Sequence, residues 1–260
     1  MFSLTFKEPQ EQVAVVIPYY RKDLNRYEQI SLRRCLEVLG RHPLFLISPE
    51  GLWAAGDDLT PYRQTICFHP QYFENISGYN RLLFSPLFYR RFTNFEYILI
   101  YQLDSFVFSD QLSYWCGQSH DYVGAPWLGL NRREEIRGLL PFWERKSPIR
   151  KILKQKISNV GNGGFSLRRV RTFLILSMLL SRKTKFWPLN EDTFWSFAVP
   201  CYFPFFRKPS EEMALRFSFE LEPRVAYQLN HDELPFGCHA WWKYDFDFWK
   251  ARITNLGYEL

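Results

Sequence analysis

The stretch YILIYQLDS, residues 97–105, decides the fold. Its first five residues, Tyr97–Tyr101, form an unbroken apolar run that predicts a buried strand. Asp104 comes just past the carboxyl end of this strand, where ligands bind in open α/β sheets. A carboxylate at this position can hold a hard divalent cation. The alternative is a turn or a helix cap, which Asp also favours.

Upstream of this strand, short apolar runs alternate with stretches of helical spacing. Strands are predicted at Val13–Pro18, Leu44–Ile47 and Thr65–Phe68. Helices are predicted at Asn25–Gly40 and Asn75–Phe92, with Pro86 starting or kinking part of the second. This alternation indicates an α/β fold with a mixed, mostly parallel central sheet flanked by helices.

After the strand Tyr97–Tyr101, the regular alternation of strands and helices ends. We expect short strands at Tyr122–Ala125, Gly164–Leu167 and Phe217–Leu221, and helices at Arg169–Leu180 and Asp192–Phe197, followed by an irregular, aromatic-rich carboxyl-terminal stretch of about forty residues. We predict a single domain over 1–260, with one half at about 13–110 and a second at about 111–260 that carries a basic insertion at 131–157.

Composition narrows the class of protein. The chain has 260 residues and is 47% hydrophobic, so a sizeable core is available. Met1–Gln12 has no secretory-signal pattern, and the apolar run Phe173–Leu180 is too short to span a bilayer. Five cysteines stand singly without a Cys-x-x-Cys pair, which is typical of reduced thiols. We therefore expect a cytoplasmic protein.

The net charge is +6, and much of the basic excess falls in Arg132–Lys156. Leu139, Leu140, Phe142 and Trp143 lie in the same stretch. The combination predicts peripheral contact with an anionic membrane, with a solvated insertion as the alternative. Because zinc-finger spacing, RNP-like aromatics and a basic zipper helix are all missing from the sequence, a nucleic-acid partner is not expected.

Three further segments are candidates for chemistry. The segment VGNGGFSLR, residues 160–168, has three glycines in four positions, which permits close backbone approach to a ligand or simply a tight turn. Glu191 and Asp192 stand at a helix start, where a carboxylate serves as a general base or only as a cap. In PFGCHAWW, residues 235–242, His239 could complete a metal site begun by Asp104, or be structural.

Together, these segments resemble the GT-A glycosyltransferases, and more closely a sparsely characterised family of glycosyltransferase-like domains. The resemblance runs from about Val13 to Trp242. It rests on five segments in order: YNRLLFSPLFYRRFTNFEYILIYQLDSFVF, DYVGAPW, GNGGFSLR, NEDTFW and FGCHAW.

The resemblance implies that the chain transfers a sugar from a nucleotide-sugar donor, UDP- or GDP-linked, onto a glycan or lipid-linked acceptor in polysaccharide biosynthesis. It implies a donor site made of Pro18, Tyr19, Arg21, Asn80, Gln102, Asp104, Ser105, Gly163 and Gly164. Asp104 and His239 would hold Mn²⁺ or Mg²⁺. Asp192, or Glu191 instead, would be the base of an inverting reaction. Trp127 and Trp241 would stack on the acceptor or the sugar, although one tryptophan of the Trp241–Trp242 pair is expected in the core.

One residue departs from the family pattern. Gln102 stands where the metal motif has its first carboxylate, and an amide adds no charge. Metal binding would then be weaker, or replaced by basic residues. The same departure supports an alternative function, a non-catalytic module that binds nucleotide-sugar or carbohydrate.

Overall fold

Residues 8–54, 56–129 and 158–260 are described by a computed structural model of the chain. The whole of the predicted basic insertion at 131–157 lies outside these described residues.

The central sheet has six strands in the order β3-β2-β1-β4-β7-β6. A second sheet has three short strands in the order β5-β9-β8. The strand bounds are β1 Glu11–Pro18, β2 Leu44–Pro49, β3 Gln64–Phe68, β4 Phe95–Tyr101, β5 Phe106–Val107, β6 Tyr122–Val123, β7 Phe165–Arg169, β8 Ser218–Phe219 and β9 Gly237–Cys238.

Helices cover both faces of the central sheet and follow most of its strands. Their bounds are α1 Arg26–Leu39, α2 Ile76–Phe84, α3 Pro86–Arg90, α4 Leu112–Gly117, α5 Val170–Leu179, α6 Ser181–Thr184, α7 Glu191–Thr193, α8 Val199–Tyr202, α9 Glu211–Phe217, α10 Pro223–Leu229 and α11 Phe246–Thr254. A 3-10 turn at Pro70–Tyr72 precedes α2, and a π-helical stretch at Phe194–Ala198 joins α7 to α8.

The direction of the strands determines where loops meet. Strands β1 to β4 run parallel, whereas β7 is antiparallel to both β4 and β6. The carboxyl ends of β1 and β4 therefore share one edge with the amino end of β7. This mixed, mostly parallel sheet confirms the predicted fold class.

The sequence of β4 is continuously apolar because both faces of this strand are buried in the core. Ile98 and Ile100 pack on one side of the sheet, towards α3 and α5. Tyr97, Leu99 and Tyr101 pack on the other side, towards α1 and α4. All five side chains are fully buried, and each aliphatic one stabilises the fold by about 1.5–3 kcal/mol.

Local signals set the helix ends. Asn25 Oδ1 accepts from the Glu28 amide, and Glu28 Oε2 accepts from the Asn25 amide, so a capping box starts α1. Pro86 is the first residue of α3 and divides the predicted helix Asn75–Phe92 in two, as expected. The prediction of an irregular carboxyl-terminal stretch was wrong, because α10, α11 and β9 lie there and pack their aromatic side chains into the core.

Candidate functional site

An open cleft of about 710 Å³ lies at the edge of the sheet where β1 and β4 end and β7 begins. This is the position that the open-sheet rule predicts for a ligand site. Ten predicted site residues line the cleft: Pro18, Arg21, Asn80, Gln102, Asp104, Gly163, Gly164, Glu191, Asp192 and His239. Residues far apart in the sequence thus converge on one site.

Two predicted donor residues lie outside the cleft lining as the described residues define it. Tyr19 packs its ring on Trp53, with centroids 5.0 Å apart, and its neighbour Tyr20 lines the cleft instead. Ser105 is fully buried and donates a hydrogen bond to the carbonyl oxygen of Gly164. Its role is to fasten the loop after β4 to the start of β7.

Both tryptophans predicted to stack on a sugar are core residues, so that prediction was wrong. Trp127 is buried and stacks on Phe197 at 5.5 Å. Trp241 is fully buried, and its indole N–H donates to the hydroxyl of Ser31 at 2.9 Å. The adjacent Trp242 lines the cleft.

Asp104 and His239 meet at the floor of the cleft. His239 Nε2 lies 3.1 Å from Asp104 Oδ1 and 3.2 Å from Gln102 Oε1. On the other side of the ring, His239 Nδ1 lies 2.9 Å from Glu220 Oε1. Lys243 Nζ contacts the second oxygen of Asp104 at 2.6 Å. The site therefore alternates acidic and basic groups, Lys243–Asp104–His239–Glu220.

These contacts shift the ionisation of both central groups. Burial would lower the pKa of His239, but Asp104 and then Glu220 outweigh it and raise the pKa to about 10. Burial would raise the pKa of Asp104, but His239 and Lys243 hold the pKa well below its ordinary value. At neutral pH His239 is therefore an imidazolium and Asp104 a carboxylate.

Glycines allow the tight packing of this floor. A Cβ on Gly164 would lie 2.0 Å from His239 Nε2, and a Cβ on Gly163 would lie 2.7 Å from Glu191 Oε1. Before them, Asn162 adopts a φ of 130° and accepts from the Gly164 amide at 2.6 Å. The segment 161–164 thus carries the backbone into close approach with charged side chains, as its composition predicts.

Behind the glycines lies a buried ion pair. Arg168 Nη2 is 2.7 Å from Glu191 Oε1, and Nη1 is 3.1 Å from Oε2. The hydroxyl oxygen of Tyr89 accepts from the same guanidinium. Because Arg168 lies on β7 and Glu191 begins α7, the pair fastens the helix start to the sheet. The alternative assignment of Glu191 as the base is poorly supported, since both of its carboxylate oxygens face Arg168.

Asp192 differs from its neighbour. It is partly buried, lines the cleft and accepts from the amide of Thr193 at 2.7 Å. Burial, together with the negative charges of Glu191 and Glu220, raises the pKa of Asp192 to about 7. A carboxyl group with this pKa exchanges a proton readily near neutral pH.

Asp104 and Gln102 supply a carboxylate oxygen and an amide oxygen, and His239 would add an imidazole nitrogen once a cation displaces its proton; these groups suit Mn²⁺ or Mg²⁺ in kind. Across 8–54, 56–129 and 158–260, no group of three or more His, Cys, Asp or Glu side chains is arranged to hold a metal ion. A cation at Asp104 and His239 would therefore also need Gln102 and oxygens from the ligand.

Sequence reasoning missed Glu220 and Lys243. Glu220 follows the two-residue strand β8, which is too short to show periodicity. Lys243 lies four residues after His239, and this nearness was the one available signal. In the part of the chain that the structure describes, no helix is long and apolar enough to cross a membrane.

Residues 63–239 match the family model described as "Protein of unknown function (DUF5672)", a range that contains Gln102, Asp104, Asp192 and His239. No curated protein sequence matches the chain.

Solved structures share the fold. A galactosyltransferase LgtC, crystallised with donor and acceptor sugar analogs, superposes with a TM-score of 0.52 at 13% identity, over 94% of each chain. Mouse xyloside xylosyltransferase 1 superposes with a TM-score of 0.50 at 11% identity, over 88% of this chain and 93% of that one. The fold is thus that of the GT-A glycosyltransferases, as the sequence predicted.

Proposed function

The chain belongs to the DUF5672 family, and we propose that it is a glycosyltransferase that moves a sugar from a nucleotide-sugar donor to an acceptor hydroxyl. The observation that carries the proposal is the cleft itself. It places Lys243, Asp104 and His239 near Asp192, with the glycines 163 and 164 among them. The shared fold with transferases that take sugar donors and acceptors supports the same conclusion.

The proposed reaction divides the site into two parts. The diphosphate of the donor lies against Lys243, whose positive charge stabilises the leaving group. Asp192 removes the proton of the acceptor hydroxyl, and the oxygen then bonds to the anomeric carbon. The bond from that carbon to the phosphate oxygen breaks, and its electron pair leaves with the nucleoside diphosphate. Attack opposite the leaving group inverts the anomeric centre.

The charge of the cleft supports a divalent cation as cofactor. Its lining carries six carboxyl groups (Glu28, Glu74, Asp104, Glu191, Asp192 and Glu220) against three basic side chains, Arg21, His239 and Lys243. Arg21 is paired with Glu28 at 2.7 Å, and Glu191 is paired with Arg168 behind the lining. An anionic donor entering this acidic cleft needs further positive charge, which Mn²⁺ or Mg²⁺ held by Asp104, His239 and Gln102 would supply. Glu220 would orient His239 from behind.

A non-catalytic binding module is the alternative, and the amide of Gln102 in place of a carboxylate favours it. A transferase and a binding module would both bind the donor, but only the transferase would turn it over.

The test is a panel of UDP-, GDP-, CMP- and TDP-sugars, incubated with the purified chain and a panel of glycan acceptors, with Mn²⁺, with Mg²⁺ and with a chelator. We expect one donor to raise the melting temperature and to release its nucleoside diphosphate faster when an acceptor is present. Asp192→Asn is the matched control, because it removes the base and leaves the diphosphate groups intact. Donor binding without turnover for every acceptor supports the module, and no binding of any donor contradicts both functions.

A further inference from the structure

We propose that the face built by α3, the end of α5, α6 and the turn after α8 is a docking surface for an anionic lipid bilayer. This basic-apolar face is defined by Leu87 and Arg90 on α3, Leu179 on α5, Arg182 on α6, Lys185 and Phe186 just beyond it, and Phe205. None of these residues belongs to the predicted basic insertion at 131–157.

Large apolar side chains project from this face. Leu179 is 64% exposed, Phe186 is 78% exposed and Phe205 is 84% exposed. Large apolar groups that stand this far out of a folded surface mark an interaction site when they cluster. Aromatic and leucine side chains are those that enter the boundary between lipid headgroups and acyl chains.

Contacts join the parts of the face into one surface. Arg90 on α3 reaches the sulfur of Met178 on α5 at 3.7 Å. Lys183 on α6 donates to the hydroxyl of Tyr202 at 2.8 Å and lies 3.9 Å from the centre of its ring. Phe206, next to Phe205, packs on Phe173 of α5 with centroids 6.0 Å apart. The exposed side chains therefore belong to neighbouring elements.

The positive charge of the face favours an anionic lipid surface as its ligand. Residues 75–95, 158–190 and 193–210, which supply this face, contain no Asp or Glu. Arg90, Arg182 and Lys185 on it are exposed. Of the acidic residues that bound these stretches, Glu74 and Asp192 line the cleft. Glu96 binds Arg169, Glu191 binds Arg168, and Glu211 accepts from the amide of Asn159. Basic and aromatic side chains on stretches that lack Asp and Glu complement a negatively charged lipid surface.

The face adjoins the acceptor side of the cleft. The loop after α6 runs from Phe186 to Asn190, which lines the cleft, and Trp187 in this loop donates to the hydroxyl of Thr193 at 3.1 Å. A bilayer seated on the face would therefore lie on the side of the cleft that this loop borders. Resting on the proposed function, we infer that the acceptor is a lipid-linked glycan presented from that bilayer.

The test is flotation of the full chain with vesicles of phosphatidylcholine, with and without phosphatidylglycerol, at low and high salt. We expect binding only to the vesicles that contain phosphatidylglycerol, weakened by salt because the attraction is screened. Arg182→Gln with Lys185→Gln should bind roughly 30-fold more weakly, since each basic side chain near an anionic surface contributes about 1 kcal/mol. Phe186→Ser with Phe205→Ser should also lose binding.

A matched control is Lys250→Gln with Leu229→Ser, which removes an exposed lysine and an exposed leucine from α11 and α10, outside the face. It should bind like the parent chain. Parental binding by either face variant overturns the proposal, as does failure of the parent chain to bind anionic vesicles. Release of nucleoside diphosphate with a water-soluble acceptor should be the same in all variants, so loss of the docking surface is distinguishable from loss of the transfer activity.

Discussion

The guanidinium of Arg168 lies 2.7 Å from the carboxylate of Glu191, and the two side chains are 0% and 2% exposed to solvent. A pair this deeply buried joins the last full strand of the sheet to the helix that carries Asp192. Its cost of desolvation is large, so the pair contributes to positioning more than to net stability.

We therefore expect Glu191→Gln to destabilise the fold by about 3–5 kcal/mol, because it leaves the Arg168 charge buried without its counterion. Urea unfolding measures the change. The double variant Arg168→Met with Glu191→Leu should recover much of this loss, since apolar residues of similar volume can replace a buried pair. A fully stable Glu191→Gln protein that has lost turnover would instead identify Glu191 as the base.

The sequence predicted the position of the cleft because that position depends on strand direction alone. The apolar run Tyr97–Tyr101 predicted a central strand, and polar residues after β1 and β4 then had to meet at one edge. Asp104 lines the cleft for that reason.

The pairing of Lys243 with Asp104 was not predictable from the sequence. Lys243 contacts Asp104 across 139 residues, and only the packing of the carboxyl-terminal segment brings them together. The choice between Trp241 and Trp242 depends on Ala240, whose φ of 53° turns the chain so that Trp241 enters the core. The hydrophobic pattern of the sequence does not predict a backbone angle of this kind.

Gly164→Ala tests how closely the floor of the cleft is packed. The new Cβ would lie 2.0 Å from His239 Nε2 and 2.7 Å from Gln102 Oε1, so His239 must move. A displacement of about 1 Å in a catalytic site costs roughly 100-fold in rate, and we expect a loss of that size in turnover. Gly117→Ala is the control, because a Cβ there meets nothing within 4 Å. Equal turnover in both variants would contradict a role for the Gly164 contact.

Asp104→Asn should abolish donor binding that depends on Mn²⁺ while leaving the fold intact. The substitution keeps the shape of the side chain but removes the charge that faces both His239 and Lys243. Calorimetric titration with the donor, with and without Mn²⁺, measures the effect. If Asp104→Asn retains the affinity of the parent chain under both conditions, Asp104 contacts neither a cation nor the diphosphate.

Lys243→Gln should weaken donor binding even without added cation, because its ammonium is a positive charge that the cleft presents to a diphosphate. A hydrogen bond to a charged group contributes about 1.5–3 kcal/mol, so we expect a loss of roughly 10- to 150-fold in affinity. Lys243→Arg should recover part of it. The control is Lys250→Gln, an exposed lysine on α11 that should bind donor normally.

The last prediction concerns the ionisation of Asp192, whose pKa is raised to about 7 by burial and by the charges of Glu191 and Glu220. A base must be ionised to accept a proton, so kcat/KM should rise with pH and level off above about 7. Asp192→Asn should lose about 10²–10⁴-fold in turnover and should lose this pH dependence, while donor affinity changes little.

Stability should show the opposite trend, and it supplies a second readout. The pKa of Asp192 is higher in the folded chain than in the unfolded chain, where Asp titrates near about 4. The folded state therefore binds the proton more tightly, and the stabilisation that Asp192 contributes to the parent chain falls as pH rises from about 4 to about 7. Asp192→Asn has no such proton to lose, so it should become more stable relative to the parent chain across that window. Urea unfolding of both proteins at pH 5 and at pH 8 measures the difference. A variant that changes neither the rate profile nor the stability profile would exclude Asp192 as the base and leave the inverting mechanism without one.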